Sequence, residues 1–273
     1  MSPWSTARIG PKPFIAVDHM GSGELLVFLH GIGGNKRNWH DNLPAFAEHW
    51  HAVAWDARGY GDSDDYDGPL VFSDFSHDLA RVVDHFGAAK AHIVGLSMGG
   101  RIAMEFADLY PDRILTLTLC DTHRGFSQMP EEKRREFVRL RREPLVAGGE
   151  PTDIAVPVAK TLIGPKASQE AFDKLVDSIS RLHKQSYVKT IETTIMTVTD
   201  GHLANIRVPT HVVVGADDRL TTPAAAKELA NMIPDAKLTV ISDAGHLSNI
   251  EKSAEFNEAV IGFILAARSK SAA

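Results

Sequence analysis

The chain has 273 residues, 44% hydrophobic and 23% charged, with a formal net charge of −6. That length supports one large domain, or a domain with an inserted subdomain, whose core needs neither disulfides nor a structural metal. The acidic balance disfavours nucleic acid and anionic membrane as partners, and a lone cysteine, Cys120, excludes an intramolecular disulfide.

In chain order, the opening "MSPWSTARIGPKPF" lacks the apolar run of a secretory signal. The segment before residue 24 predicts one or two antiparallel strands at a sheet edge. "ELLVFLHG" (24–31), "HAVAWDARG" (51–59), "AHIVG" (91–95), "ILTLTLCD" (114–121), "THVVVGADD" (210–218) and "KLTVISDAGH" (237–246) read as buried strands ending in turn residues. Near-continuous apolar strands of this kind fit a parallel sheet covered on both faces. Helices are predicted between them over 74–87, 98–110, 223–233 and 253–267. The alternation predicts an α/β fold with a mostly parallel, doubly wound sheet.

The rhythm breaks over 124–205. "MPEEKRREFVRLRRE", "DIAVPVAKTLI", "ASQEAFDKLVDSISRLHKQ" and "SYVKTIETTIMTVTD" are helical in pattern with no strand among them. Phe172, Leu175, Val176, Ile179 and Leu182 have the spacing of one apolar helix face. Pro130, Pro151 and Pro165 mark helix starts, and Gly148-Gly149 and Gly164 mark stops. The expectation is a core of 1–123 and 206–273, with a helical cap of 124–205 inserted between the fourth and fifth of those strands. No segment reaches the roughly 20 apolar residues of a membrane span, which predicts a soluble, cytoplasmic protein.

Open α/β sheets carry their chemistry at the carboxyl ends of their strands. After "AHIV" comes Gly95-Leu96-Ser97-Met98-Gly99, a G-x-S-x-G elbow between strand and helix. Glycines two before and two after Ser97 relieve clashes in a sharp turn, and the following helix aims its amino terminus at the site. A serine hydroxyl needs a base, and the base needs an orienting acid, in the chain order Ser, Asp or Glu, His. His246, in "DAGHL" after the last strand, is the candidate base. Asp217, Asp218 and, after "ILTLTLC", Asp121 compete for the acid. The oxyanion hole is expected from the backbone N–H groups of Met98 and of Ile32, in the glycine-rich "HGIGG" after the first strand.

These motifs resemble the α/β-hydrolase superfamily along nearly the whole chain: "HGIGG", "DARGYGDSD", "GLSMGG", "YPDRILTLTLCD", "GADDRLTTP" and "DAGHLSNIE". Within it the sequence is most similar to the 3-oxoadipate enol-lactonase and carboxylesterase branch. The resemblance implies Asp218 as the acid, third after the strand-ending Gly215 and with Pro223 beyond it. "DARGYGDSD" is a structural turn in such families. One departure is that Trp4, Trp39, Trp50 and Trp55 all precede the cap.

Other features read more plainly. Lys133, Arg134, Arg135, Arg139, Arg141 and Arg142 are interleaved with Glu131, Glu132, Glu136 and Glu143, as on a solvated helix face. His40, His49 and His51 lack ligand spacing, so no metal site is called there. Cys120 reads as core, and Met98, Met104, Met129 and Met196 are candidates to line an apolar pocket. The expected activity is hydrolysis of a small-molecule ester or lactone without cofactor or metal, by a monomer or a homo-oligomer. Carbon–carbon hydrolysis of a ring-cleavage product, cofactor-free oxygenase or perhydrolase chemistry, and a binding module without turnover are the alternatives. An aspartate nucleophile, as dehalogenases and epoxide hydrolases require, is absent where Ser97 stands.

Overall fold

The computed structural model describes residues 3–126, 129–197 and 203–271. Its strands are β1 (Ser5–Ile9), β2 (Ile15–Met20), β3 (Leu25–Leu29), β4 (His51–Trp55), β5 (Ala91–Leu96), β6 (Ile114–Cys120), β7 (Thr210–Gly215) and β8 (Lys237–Ile241). They form one sheet in the order β1-β2-β4-β3-β5-β6-β7-β8. The β1/β2 and β2/β4 pairs are antiparallel and all others parallel, so the opening segment supplies the two antiparallel strands.

Every residue of β3, β5 and β7 is buried, as a strand covered on both faces requires. The expectation of burial fails at β8. It pairs only with β7, and Leu238 and Val240 are exposed because the sheet ends there. The strands also stop before their turn residues, at Trp55, Gly215 and Ile241, and leave the polar residues that follow free to build loops.

The helices are α1 (Leu43–Ala47), α2 (Ser73–His85), α3 (Met98–Leu109), α4 (Glu131–Val146), α5 (Pro151–Leu162), α6 (Gln169–Ser180), α7 (Lys184–Met196), α8 (Pro223–Met232), α9 (Ser248–Glu251) and α10 (Ser253–Ser271), of which α1, α2, α3, α8 and α10 pack on the sheet. The short α1 and α9 carry too few turns to leave a periodic signal in sequence. Helix starts follow local chemistry. Pro151 and Pro223 occupy first-turn positions, and the Ser168 hydroxyl accepts from Ala171 N at 3.1 Å.

The four helices α4–α7 lie between β6 and β7 in the chain and pack as two pairs, α4 on α7 and α5 on α6. Leu175 and Ile179 are the buried face of α6, with Phe172 and Val176 packed partly against the core and Leu182 just beyond the helix end. The helical reading of residues 198–200 lies outside the described residues. Among the described residues no helix is long and apolar enough to cross a membrane.

The chain leaves β3 toward β4 on one side and returns to β5 on the other. The carboxyl ends of β3 and β5, with Leu29 paired to Gly95, therefore flank a switch in strand order where a crevice opens.

Candidate active site

Ser97 stands between β5 and α3 with φ +54° and ψ −113°, a conformation that costs a non-glycine residue strain. The surroundings impose it. A methyl group on Gly95 would run into Gly99 O and lie 2.7 Å from Gly100 N; one on Gly99 would strike Leu29 O and lie 2.9 Å from His30 O. Backbone meets backbone on both sides of the turn, so only glycine fits. Two bonds then lock it: Ser97 N donates to Cys120 O at 2.8 Å, and the Thr122 hydroxyl donates to Ser97 O at 2.8 Å.

Ser97 Oγ lies 3.0 Å from His246 Nε2, and His246 Nδ1 lies 2.8 Å from Asp218 Oδ2. With Nδ1–H directed at the carboxylate, Nε2 is left to accept from the serine hydroxyl. Burial pushes the His246 imidazole toward its neutral form, but the hydrogen bond and charge of Asp218 outweigh it, and the His246 pKa is raised. Burial likewise pushes the Asp218 carboxyl up. The His246 hydrogen bond and charge, with donors from Thr221, outweigh that and hold it at about 2.

Asp218 is itself fixed by a tight turn. Its Oδ1 accepts from Leu220 N at 2.8 Å and Thr221 N at 2.9 Å, while the Thr221 hydroxyl donates to Oδ2. Thr221 escaped the sequence reading. Its signal, a hydroxyl three residues after Asp218, is common to ordinary turns. The rivals stand elsewhere. Asp217 is half-exposed on the loop. Asp121 is fully buried, but its Oδ1 accepts from Gly215 N at 2.8 Å, and its Oδ2 accepts from Ser248 N at 3.1 Å and the Ser248 hydroxyl at 2.6 Å. Asp121 thus ties the ends of β6 and β7 to α9.

The His246 loop is fastened to the inserted helices. His246 N donates to Leu162 O at the end of α5, and the Glu251 carboxylate accepts from Gly245 N at 2.9 Å and Gly164 N at 3.0 Å.

Ile32 and Met98 both line the cavity above Ser97. Met98 opens α3, so its N–H has no acceptor within the helix. The Ile32 loop lies against the elbow, where a methyl group on Gly31 would sit 3.2 Å from Ser97 Cβ. His30 pins that loop: its Nδ1 donates to Gly31 O at 2.7 Å, and its Nε2 accepts from Ala57 N at 3.0 Å. Burial pushes His30 toward the neutral form that this pairing requires. On the other side the Ser178 hydroxyl of α6 donates to Gly33 O at 2.9 Å.

The cavity is closed mainly by apolar side chains, Trp39 and Met98 from the sheet side and Phe137, Leu162, Ile179 and Tyr187 from α4–α7. Trp39 supplies from the first loop the large aromatic surface that no tryptophan supplies from the inserted helices. Of the four methionines expected to line a pocket, Met98 does so; Met104 is buried in the core, and Met129 and Met196 lie off this cavity. The basic block divides. Arg135 pairs with Glu131, and Arg139 with Glu136 and Glu143, on an exposed face, as expected. Arg134 instead donates to Met196 O at 3.2 Å, and Arg141 turns into the cavity, a correction to the uniform reading of that helix. His40 bonds to Asp18 Oδ2 at 2.8 Å, His49 rests on Trp50 and His51 bonds to His19 at 2.9 Å, so the three point to different partners. Cys120 is fully buried at the end of β6, where burial pushes its thiol well above the ordinary range.

A family model described as the alpha/beta hydrolase fold matches residues 24–253. A 2-hydroxy-6-oxononadienedioate/2-hydroxy-6-oxononatrienedioate hydrolase of Burkholderia vietnamiensis is 32% identical over 259 residues, covering 89% of this chain and 88% of that one. The 3-oxoadipate enol-lactonase 2 of Acinetobacter baylyi is 27% identical, with 86% of each chain covered. A thermophilic esterase from Thermogutta terrifontis, solved with malate bound, superposes with a TM-score of 0.88 at 26% identity, over 96% of this chain and 99% of that one. The chain belongs to the α/β-hydrolase family.

Proposed function

We propose that the protein is a serine hydrolase of carboxylic esters or lactones. The observation that carries this is the hydrogen-bonded line from Ser97 Oγ through His246 to Asp218, with steps of 3.0 and 2.8 Å. In this reading Ser97 Oγ attacks the substrate carbonyl while His246 Nε2 takes its proton. The Ile32 and Met98 N–H groups receive the oxyanion, each such donor typically contributing about 10²–10³ in rate. His246 then returns the proton to the leaving oxygen, and an acyl group stays on Ser97. Water gives its proton to His246, attacks the acyl carbonyl and releases the acid. Asp218 holds the imidazole in its tautomer and stabilises the imidazolium of each half-reaction. Residues 124–205 act as a cap that shapes the acyl pocket. None of these steps calls for a cofactor or metal.

Carbon–carbon hydrolysis is the second reading, favoured by the name of the relative from Burkholderia vietnamiensis. Initial rates on short p-nitrophenyl esters, a lactone panel and a vinylogous diketone separate the two. The proposal expects ester or lactone turnover that Ser97→Ala abolishes. Turnover retained in Ser97→Ala overturns it, and diketone cleavage far faster than ester cleavage transfers the assignment to the second reading.

A further inference from the structure

The inserted helices meet the Asp218 and His246 loops at one corner, residues 160–164, where α5 ends. His246 N donates to Leu162 O at 2.9 Å, and Arg219, next to Asp218, donates to Ile163 O at 3.3 Å. Gly164 and Gly245 stand face to face at this corner. A methyl group on Gly245 would strike Gly164 N, and one on Gly164 would lie 2.7 Å from Gly245 N. With no side chain between them, a shift of the corner displaces the His246 loop.

Glu251 of α9 spans the contact. Its Oε2 accepts from both Gly164 N at 3.0 Å and Gly245 N at 2.9 Å, and its Oε1 accepts from Leu247 N at 3.3 Å. The donors therefore flank His246 on both sides and include the inserted segment. Hydrogen bonds to an ionised carboxylate are among the stronger ones, and three of them converge here. Among the described residues no lysine, arginine or histidine forms an ion pair with Glu251, so the carboxylate is given over to these three amides. Glu251 is also absent from the described lining of the cavity, so contact with a substrate does not account for it.

We infer that Glu251 is a positioning residue for the base: it clasps the His246 loop to the inserted helices, so that the imidazole is set against Ser97 only while the corner at Gly164 is seated. This rests on the hydrolase reading, in which His246 moves the proton, and adds the inserted helices to the apparatus that aims it. The carboxylate has a second effect, through its charge. The groups facing the His246 imidazole are Asp218, Asp121 and Glu251, each of which favours its protonated form, and His123, which burial and the Arg101 charge push down to about 4. At the same junction Lys166 pairs with Asp243 at 2.7 Å, both exposed, with the Lys252 charge nearby.

Two measurements test this. The first is the steady-state rate on a p-nitrophenyl ester. Glu251→Gln should lower kcat by about 10- to 100-fold, the cost of misplacing a reacting group by roughly 1 Å, and should change KM by less than about 3-fold. Gly164→Ala presses on the clasp from the inserted side and should act alike, and the double variant should lose little more than the worse single one. Lys166→Ala removes the exposed ion pair at the same junction and should leave kcat within about 2-fold. Losses that multiply in the double variant, a change confined to KM, or an equal loss in Lys166→Ala overturns the inference. The second is an NMR titration of the His246 ring, identified by its loss in His246→Ala. Glu251→Gln should lower its pKa by about 0.3–1 unit, whereas Glu251→Asp, which keeps the charge and shortens the reach, should keep most of the pKa and lose part of kcat. An unchanged pKa in Glu251→Gln overturns the inference. The titration needs no turnover, so a wild-type protein that hydrolyses no ester would count against the hydrolase reading alone.

Discussion

His246 Nδ1 faces Asp218 Oδ2 at 2.8 Å, while the equally buried Asp121 turns both its oxygens to Gly215 N and Ser248. The two carboxylates are close enough to influence each other, yet only one touches the imidazole. Asp218→Asn should therefore lower kcat by roughly 10³–10⁴, the cost of a mis-set imidazole tautomer in such triads. Asp121→Asn should cost less than about tenfold. Steady-state rates on one ester decide it, and equal losses would break the assignment of the acid.

The pH profile follows from the same pair. In the proposed mechanism only neutral His246 accepts the serine proton, and Asp218 raises its pKa above the ordinary 6.5. The acid limb of kcat/KM for a neutral ester should thus bend above that value, with activity lost as pH falls through it. In Asp218→Asn the bend should move to lower pH. A bend that stays in place in the variant would show that another group titrates.

The elbow allows a clean stability contrast. Gly95→Ala drives a methyl group into Gly99 O across a rigid turn, and should cost about 1–3 kcal/mol or more. Gly262 in α10 has open space where a methyl group would go, and Gly262→Ala should stabilise by about 0.5–1 kcal/mol. Thermal or urea unfolding of both variants checks the pair.

Asp121 should make stability fall with rising pH. Burial first, and then the Asp218 charge, push its carboxyl up to about 7, above its unfolded value near ~3.9. A pKa raised by folding means that the native state binds the proton more tightly than the unfolded chain. Its contribution is fully present below the unfolded value and is lost as pH rises through the folded one. Because the lowered histidines titrate in the same range with the opposite sign, the comparison is between proteins: from about pH 4.5 to 6.5, above the titration of Asp218, the urea midpoint of Asp121→Asn should rise relative to that of wild type.

The elbow at Ser97 was legible because the turn constrains its neighbours: Gly95 and Gly99 stand where two backbones nearly touch, and no other residue fits. His246 was legible from its place after the last strand. The acid was not settled by the residues alone, since Asp121, Asp217 and Asp218 each follow a strand, and the resemblance was needed to choose. Of the three, Asp218 is the one that bonds to His246, at 2.8 Å. Arg141 was hidden because its alternation with glutamates is the pattern of a solvated helix, and the pattern carries no sign of which cation turns inward. The exposure of β8 was also hidden. Apolar residues at a sheet edge look like those at its centre until the neighbouring strands are counted.

The most direct test of the account is labelling by a fluorophosphonate probe, followed by mass spectrometry of the digested protein. A single adduct on Ser97 is predicted, absent in Ser97→Ala and slowed at least about 100-fold in His246→Ala, where the base is gone. Active protein that remains unlabelled, or an adduct on another residue, would contradict the claim that Ser97 is the nucleophile.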